Sequence, residues 1–371
     1  MRRQALYLGG FLGPFGGGVL TVLIPELRDR FGASTSAVTL AAITAYILPF
    51  AVFQVVSGTI GERVGAARTI RAAYVAYAAV SVVAAFVTAL GPFVAARAAQ
   101  GICNAFTTPL LLAALAESAE DASLGRSMGT FAAVQTAGVV SAPLCGGLAG
   151  AVDERLAFLG PAAVALALAA IPVPVSARAA HVEAPSLRAA MNARVWWTAA
   201  AAFLAYLAVT GVGFLVSIRA ADSFGLGPTE RGLLLAGFGL SGVVAGRPAG
   251  NLVDRRGSVV VTIAGAVACA GIVPLLGIVG APVPLAAAWL AAGVGSALIW
   301  AGINTLAVRA APANRAGAVS FIGARKFAGN AAGPGVWLPI YHVRAWLAFG
   351  LAGMASGLIG GCARAAGRPR G

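Results

Sequence analysis

Runs of about twenty apolar residues recur along the whole chain, and short polar segments separate them. Each run is long enough to cross a hydrocarbon core of about 30 Å as an α-helix. We therefore predict an all-α integral membrane protein with short loops. The pattern places twelve transmembrane helices at approximately 5–25, 36–57, 69–89, 92–115, 127–151, 156–176, 196–218, 229–249, 258–278, 283–307, 317–339 and 345–363.

The distribution of charge predicts how the helices are oriented. Of 371 residues, 59% are hydrophobic and only 10% are charged, although the net charge is +14. With a cytoplasmic N-terminus, 17 basic residues lie on the cytoplasmic side and 6 on the outer side. This asymmetry follows the positive-inside rule. It predicts a multi-pass protein of the inner (cytoplasmic) membrane with both termini in the cytoplasm, and it removes the reason to expect a nucleic-acid partner.

The sequence contains an internal repeat of about half its length. GTIGERVG at Gly58–Gly65 and GNLVDRRG at Gly250–Gly257 share glycine, acid, arginine and glycine positions 192 residues apart. Glycine-rich segments that begin at Gly138 and Gly329, each with a proline five residues on, are 191 apart. A repeat after six spans is typical of transporters built from two similar halves. The predicted parts are an N-terminal six-helix bundle (1–176), a cytoplasmic linker (177–195) and a C-terminal six-helix bundle (196–371).

These motifs resemble those of the major facilitator superfamily over essentially the full chain. The two charged segments resemble the superfamily's loop signature between helices two and three and its echo between helices eight and nine. RAAQG at Arg97–Gly101 resembles the arginine motif of proton-coupled members. The glycine and proline pattern from Gly138 resembles the helix-five signature of drug–proton antiporters. The resemblance implies two pseudo-symmetric six-helix bundles and alternating access.

The two charged segments are predicted to form a cytoplasmic gate. We expect Gly58 and Gly250 to let helix ends approach closely, and Gly65 and Gly257 to allow turns that other residues resist. The resemblance implies that the acids and arginines act as a breakable latch. The alternative is that the arginines only fix topology. The predicted gate residues are Gly58, Glu62, Arg63, Gly65, Gly250, Asp254, Arg255 and Gly257.

The helix-five motif allows two interpretations. In antiporter relatives it is linked to the direction of transport, and small residues at four-residue spacing also allow two helices to pack closely. Close packing alone is at least as well supported as a hinge. The motif residues are Gly138, Pro143, Gly146 and Gly147.

Polar residues inside predicted spans are the candidates for a substrate cavity, because polar groups in hydrocarbon are costly and usually functional. Arg97 could couple protons, bind substrate or bridge to backbone carbonyls. Arg325 and Lys326 are adjacent and point about 100° apart, so both cannot face one cavity equally. The amides could equally form ordinary interhelical hydrogen bonds. The cavity candidates are Arg97, Asn104, Gln135, Asn304, Arg325, Lys326 and Asn330.

The positions of the acids bear on the substrate. All twelve fall in predicted loops or at helix ends, so no carboxylate is expected at mid-membrane. The cavity is therefore neutral to positive, which favours an anionic or neutral substrate. We predict a secondary transporter working by alternating access with proton-coupled efflux, and the alternative is uptake or facilitated transport of an anionic metabolite.

No enzyme activity is predicted, because no catalytic set converges and no P-loop is present. We expect no cofactor and no metal. The predicted partners are a small-molecule substrate, protons and the lipid bilayer, with the chain as a monomer.

Overall fold

The computed structural model describes residues 2–118, 121–172, 191–311 and 315–368, and most of these are helical. A 3₁₀ turn (Val19–Val22) follows the first helix, and two π-helical segments, Leu40–Thr44 and Tyr206–Thr210, interrupt longer helices. The α-helices in chain order are α1 Arg2–Gly18, α2 Ile24–Phe31, α3 Thr35–Thr39, α4 Ala45–Val64, α5 Ala66–Phe86, α6 Leu90–Ala105, α7 Thr108–Ser118, α8 Asp121–Val152, α9 Leu156–Ala170, α10 Ala193–Ala205, α11 Gly213–Phe224, α12 Pro228–Arg256, α13 Ser258–Ile278, α14 Pro282–Ala310, α15 Arg315–Val343 and α16 Ala345–Gly367.

Ten stretches in the described residues are long and apolar enough to span a membrane. The shorter apolar helix α9 and the 29-residue helix α15 occupy the positions of two further predicted spans. The all-α membrane architecture is confirmed, and the helices are consistent with twelve spans. The ten stretches are Gln4–Val22, Thr35–Gln54, Ala66–Phe86, Leu90–Leu115, Thr130–Val152, Ala193–Phe224, Pro228–Arg256, Ser258–Ile278, Pro282–Ala310 and Ala345–Gly367.

The predicted span 92–115 differs from the structure, because it is divided into two helices. Helix α6 ends at Ala105, and α7 begins at Thr108. The Thr107 hydroxyl donates to the Asn104 carbonyl at 2.9 Å and lies 3.0 Å from the Asn104 side-chain oxygen. Such local side-chain bonds compete with the helical ladder. They account for the break at this point.

The chain divides into two compact units. Unit 1 comprises Met1–His181 together with Gly227–Leu233, and unit 2 comprises Val182–Leu226 and Leu234–Gly371. The first turn of α12 is therefore grouped with unit 1. Most of the predicted linker, residues 177–190, lies outside the described residues.

The internal repeat is visible in the packing of each unit. A Cβ atom added at Gly138 would lie 2.6 Å from the Phe11 carbonyl oxygen, so α8 and α1 touch through backbone. A Cβ atom at Gly329 would come even closer to the Phe203 carbonyl oxygen, where α15 meets α10. The two glycines are 191 residues apart and the two phenylalanines 192 apart. The repeat found in the sequence is thus also a repeat of helix contacts.

Each unit has an arginine that caps a helix C-terminus, and the capped residues Val87 and Val279 are 192 residues apart, although the two arginines are 189 apart. Arg30 Nη2 donates to the carbonyls of Ala85 at 2.8 Å and Val87 at 2.6 Å, at the end of α5. Arg219 Nη2 donates at 2.8 Å to the carbonyl of Val279, just after α13. A cation at a helix C-terminus satisfies free carbonyls and opposes the helix dipole. Burial lowers the pKa of Arg30 and nearby Glu154 opposes that shift.

Candidate functional site

Arg97 lies at the centre of a buried polar network in unit 1. The residue is only 1% exposed, and its guanidinium lies 4.4 Å from the centre of the Tyr46 ring. Its Nε and Nη2 atoms donate to the Ala42 carbonyl at 3.1 and 2.8 Å, and Nη1 donates to the Gln100 side chain at 2.6 Å. No carboxylate pairs with Arg97 in the described residues. Its positive charge is therefore stabilised by carbonyl and amide dipoles and by an aromatic ring.

The first π segment, Leu40–Thr44, explains how a backbone carbonyl can accept from this arginine. A π turn shifts the hydrogen-bond ladder from the fourth to the fifth residue, which disturbs the regular pairing of carbonyls. Ala42 lies in that segment, and its oxygen receives two Arg97 donors. This is the carbonyl bridge that the sequence left open as one of three roles for Arg97.

The network continues through neighbouring side chains. Gln100 donates to the Ser81 hydroxyl at 2.7 Å, and the Asn104 amide donates to the Tyr46 hydroxyl at 2.9 Å. The Tyr46 hydroxyl donates to the Gly13 carbonyl at 3.2 Å. Asn104 on α6 therefore makes an interhelical hydrogen bond to Tyr46 on α4, and Tyr46 in turn contacts Arg97.

Unit 2 carries the repeat counterpart of Arg97 and Tyr46 without a charge. Trp289 and Phe238 stand 192 residues after Arg97 and Tyr46, and their rings stack with centroids 4.4 Å apart. Trp289 is 2% exposed, so it fills a buried position as Arg97 does. An aromatic side chain can therefore serve where unit 1 uses arginine, which supports a packing role for this position.

Lys326 occupies an aromatic cluster in unit 2. Its Nζ atom lies 4.8 Å from the centre of the Phe327 ring, 5.4 Å from that of Tyr206 and 5.6 Å from that of Trp300. The Tyr206 and Trp300 rings meet edge to face at 5.2 Å. Aromatic faces attract a cation by about 0.5–2 kcal/mol each. No carboxylate lies within ion-pair distance of Lys326 in the part of the chain that the structure describes.

Arg325 points away from this cluster. Its guanidinium lies 5.4 Å from the Trp196 ring and 5.1 Å from the Phe321 ring, and the residue is exposed. Trp196 is itself 49% exposed. The two adjacent cations therefore have separate aromatic partners, as their helical spacing predicts.

The two candidate asparagines of unit 2 each follow a member of the Lys326 cluster by four residues. Asn330 is half-buried and follows Lys326 by four residues, and its side-chain oxygen lies close to Gly211. Asn304 is exposed and follows Trp300 by four residues. Residues four apart share one helix face. Asn330 therefore shares a face of α15 with Lys326, and Asn304 shares a face of α14 with Trp300, whereas Gln135 lies half-buried on α8 in unit 1.

The second π segment, Tyr206–Thr210, adds a feature that the sequence did not indicate. The Trp337 ring nitrogen donates at 2.8 Å to the carbonyl of Leu207, inside this segment. Tyr206 is the first residue of the segment and also contacts Lys326. Single π turns within α-helices are frequent at functional sites. Neither Trp337 nor Gln100 was among the predicted site residues. Gln100 falls within the RAAQG motif, whereas no pattern in the sequence distinguishes Trp337.

The predicted gate residues show two outcomes. Gly65 and Gly257 have φ of 102° and 85°, which confirms that they form turns other residues resist. Gly250 was expected to let two helix ends approach closely. A Cβ atom added there would meet nothing within 4 Å, so no close helix contact depends on this glycine in the described residues.

The charged gate residues that the structure describes lie at the surface of their own units. Arg63, Asp254 and Arg255 are exposed, and no ion pair involves them in the described residues. The surroundings of Gly58 and the side chain of Glu62 lie outside the described part of the structure.

The helix-five motif packs backbone against backbone within unit 1. Added Cβ atoms at Gly138, Gly146 and Gly147 would collide with the carbonyls of Phe11, Val19 and Pro228 respectively. A Cβ atom added at Gly232 would lie 2.6 Å from the Pro143 carbonyl oxygen. The motif therefore forms a close-packed face, which is the second of its two interpretations.

A buried ion pair was missed by the sequence analysis. Arg231 is 1% exposed, and its Nη2 donates to the Glu26 carboxylate, whose side chain is 23% exposed. Arg231 lies in the first turn of α12 that is grouped with unit 1, and Glu26 lies in α2. Glu26 is one of the twelve acids expected outside the membrane, just after the predicted span 5–25, and its partner is 205 residues away.

Comparison with known proteins identifies the family. Residues 6–334 match the description of the Major Facilitator Superfamily, which is most of the chain. The chain therefore belongs to the major facilitator superfamily. A bacterial homologue of the human lysosomal transporter Spinster, solved in an inward-facing conformation, is similar with TM-scores of 0.70 unoccupied and 0.72 occupied. These likenesses cover 98% of this chain and 93% and 94% of those chains at 15% and 14% identity, so they show the fold alone.

Two curated mycobacterial relatives are similar over part of the chain. EfpA of Mycobacterium tuberculosis, named an uncharacterised MFS-type transporter, is 27% identical over 235 residues, covering 63% of this chain and 42% of that protein. LfrA of Mycolicibacterium smegmatis, named a multidrug efflux pump, is 31% identical over 130 residues, covering 35% of this chain and 26% of that protein. The chain thus matches less than half the length of each relative.

Proposed function

We propose that this member of the major facilitator superfamily is a secondary transporter that exports a small organic anion across the inner (cytoplasmic) membrane. It works by alternating access, in which a binding site opens to one side of the membrane and then to the other. Both termini face the cytoplasm in this proposal. The name of the relative LfrA, a multidrug efflux pump, supports export.

The observation that carries the proposal is the Lys326 cluster. A lysine surrounded by Tyr206, Trp300 and Phe327, without a described acid nearby, offers a positive charge within a mostly apolar wall. Binding sites of this type combine apolar walls with a few polar groups that fix orientation. Lys326 would hold the anionic group, the rings would pack against the apolar part, and Asn330 and Asn304 would accept or donate hydrogen bonds.

Proton coupling is part of the proposal and rests on the resemblance to proton-linked members. Arg97 stands at the position of the motif arginine of those members. Its Nε, Nη1 and Nη2 atoms already donate hydrogen bonds to Ala42 and Gln100. Its proposed role is therefore to hold the helices of unit 1 in place while other groups bind substrate. Gln135 is proposed as a secondary contact with substrate at the edge of a cavity, whereas the exposed Arg325 is proposed to pack on Trp196 and Phe321 and not to bind substrate.

The repeated charged segments are proposed as the cytoplasmic gate. Gly65 and Gly257 turn the chain between two helices in each unit, which places Arg63, Asp254 and Arg255 at the helix ends. Within the described residues, Arg63, Asp254 and Arg255 are exposed and form no ion pair. A latch that engages in only one conformation needs charges that are accessible in the other, and exposed charges at helix ends meet that requirement. The helix-five motif is proposed to keep α8 rigid during the change.

Uptake or facilitated transport of an anionic metabolite is the second candidate function. The same Lys326 cluster supports it, because a fixed cation selects anions in either direction of transport. Direction and energy source separate the two candidates, whereas the binding site is common to both.

A ligand-induced thermal shift tests the binding site. The purified protein is heated with matched anionic, neutral and cationic aromatic compounds, since a ligand that binds the native state raises its stability. We expect stabilisation by the anions, with Kd weakened about 10-fold or more in Lys326→Met because a charge-assisted contact is lost. Arg325→Gln is the matched control, since Arg325 has other aromatic partners. Stabilisation by cations, or an equal loss in both variants, would reject the Lys326 site.

A further inference from the structure

Unit 2 contains a small pocket outside the proposed substrate site, at one end of four helices. It is an open pocket of about 170 Å³ between the start of α10, the start of α13 and the ends of α14 and α16. In the predicted topology these helix ends face the cytoplasm. Its lining residues are Arg194, Ser258, Val259, Leu306, Arg309, Ala310, Ala366 and Gly367.

Two arginines give the rim of this pocket a strong positive charge. Arg194 donates through Nε and Nη2 to the Arg368 carbonyl at 3.2 and 2.9 Å, which fixes its guanidinium and leaves Nη1 for another acceptor. Arg309, in the last turn of α14, makes no hydrogen bond or ion pair within the described residues. Neither arginine is paired with a carboxylate in that part of the chain. The pocket thus presents two cationic donor groups and no described anion to balance them.

The start of α13 adds donors that no side chain caps. Gly257 precedes the helix, and no side-chain hydrogen bond caps its first N–H groups. Ser258 is 6% exposed and lines the pocket, and its hydroxyl makes no hydrogen bond in the described residues. A helix N-terminus favours an anion through its dipole and free N–H groups. A hydroxyl without a protein partner, on a largely buried residue of the pocket wall, is an independent sign that a polar ligand belongs here.

The base of the pocket is apolar. Leu306 and Ala366 belong to a buried cluster, and Val259 packs against it. Gly367 keeps this space narrow, since a Cβ atom there would overlap the Val259 side chain. Cationic groups next to an apolar base suit a molecule that carries an anionic oxygen group on an apolar part. Basic pockets at the cytoplasmic ends of membrane helices bind anionic lipid headgroups in this way.

We propose that this pocket binds the phosphate group of an anionic phospholipid of the cytoplasmic leaflet. Arg194 and Arg309 bind the phosphate oxygens from the rim, the first N–H groups of α13 and the Ser258 hydroxyl donate from the inner side, and the acyl chains lie along the apolar helices. The same phosphate chemistry would also accept free inorganic phosphate. The site is separate from the Lys326 cluster and does not depend on what the protein transports.

Binding of short-chain lipids to the purified, detergent-solubilised protein tests the proposal. Calorimetry with dioctanoyl phosphatidylglycerol, dioctanoyl phosphatidylcholine and inorganic phosphate compares an anionic lipid, a zwitterionic lipid and the free anion. We expect phosphatidylglycerol to bind and Arg309→Gln or Arg194→Gln to weaken it about 10-fold each, since each removes a charge-assisted hydrogen bond. Arg309→Lys, which keeps the charge, should lose less than Arg309→Gln.

The control is Arg364→Gln, which removes an exposed arginine near the end of α16 that does not line the pocket. Two results together would identify the lipid as the source of the anion. Phosphatidylglycerol would still bind to Arg364→Gln, and inorganic phosphate would bind the parent protein only weakly. Equal binding of inorganic phosphate, lost in Arg309→Gln, would keep the site and assign it to the free anion. Binding that is unchanged in Arg194→Gln and Arg309→Gln, or reduced equally in Arg364→Gln, would overturn the proposal.

Discussion

Replacing Gly329 by alanine tests the close contact between α15 and α10. The added Cβ atom would collide with the Phe203 carbonyl oxygen, well inside the 3.0 Å that real Cβ atoms keep from other heavy atoms. The obstacle is backbone, so no side-chain rotation can relieve it. One of the two helices must move, and the contacts that follow the repeat in unit 2 must shift with it.

The size of the effect follows from two opposing terms. Alanine in a helix is more favourable than glycine by about 0.5–1 kcal/mol, because glycine loses more backbone freedom on folding. Overpacking a tightly packed interface costs about 1–3 kcal/mol. The free-energy cost of the collision exceeds the gain in helix propensity. We therefore expect Gly329→Ala to lower the free energy of unfolding by about 1–2 kcal/mol.

Gly323 offers a matched control on the same helix. A Cβ atom at Gly323 meets nothing within 4 Å, so Gly323→Ala should be neutral or slightly stabilising. Thermal unfolding in detergent, followed by tryptophan fluorescence, compares the two variants under one condition. Equal melting temperatures for Gly329→Ala and Gly323→Ala would refute the backbone contact.

Three further substitutions test other parts of the structure. Arg97→Leu leaves the buried Ala42 carbonyl and the Gln100 side chain without a donor, so the free energy of unfolding should fall by about 2–5 kcal/mol in denaturant titrations. Loss of transport with unchanged unfolding would instead make Arg97 a transport residue. Glu26→Gln removes the partner of the buried Arg231, which should cost about 3–5 kcal/mol, and a stability equal to that of the parent protein would show that the pair contributes nothing. Asp254→Asn should slow turnover and leave ligand affinity unchanged, as measured by initial transport rates and binding, because Asp254 is exposed at a helix end. An unaltered rate would remove the latch.

The membrane fold could be predicted from the sequence because its signals are local and strong. The length of the apolar runs predicts which helices are long enough to cross the bilayer. The repeat also predicted which glycines recur, and the contacts at Gly138 and Gly329 follow it. The break at Phe106 and Thr107 was missed, since it depends on a local bond from Thr107 to Asn104.

The candidate sites could be predicted only in part. The polar residues inside spans were found because buried charge is costly, and Lys326 and Arg325 were separated correctly by helical spacing. Their partners could not be found, since Tyr206 and Trp300 come from other helices far along the chain. The pair of Glu26 and Arg231 needs the same long-range information.

The most direct test of the proposed function is transport by the purified protein in liposomes with an imposed pH gradient. The substrate is the anionic compound that stabilises the protein most. We expect accumulation that requires the pH gradient, that is lost in Lys326→Met and that persists in Arg325→Gln. Accumulation that is the same with and without the pH gradient would contradict proton-coupled export. Accumulation that is equal in Lys326→Met and the parent protein would contradict the assignment of Lys326 as the binding residue.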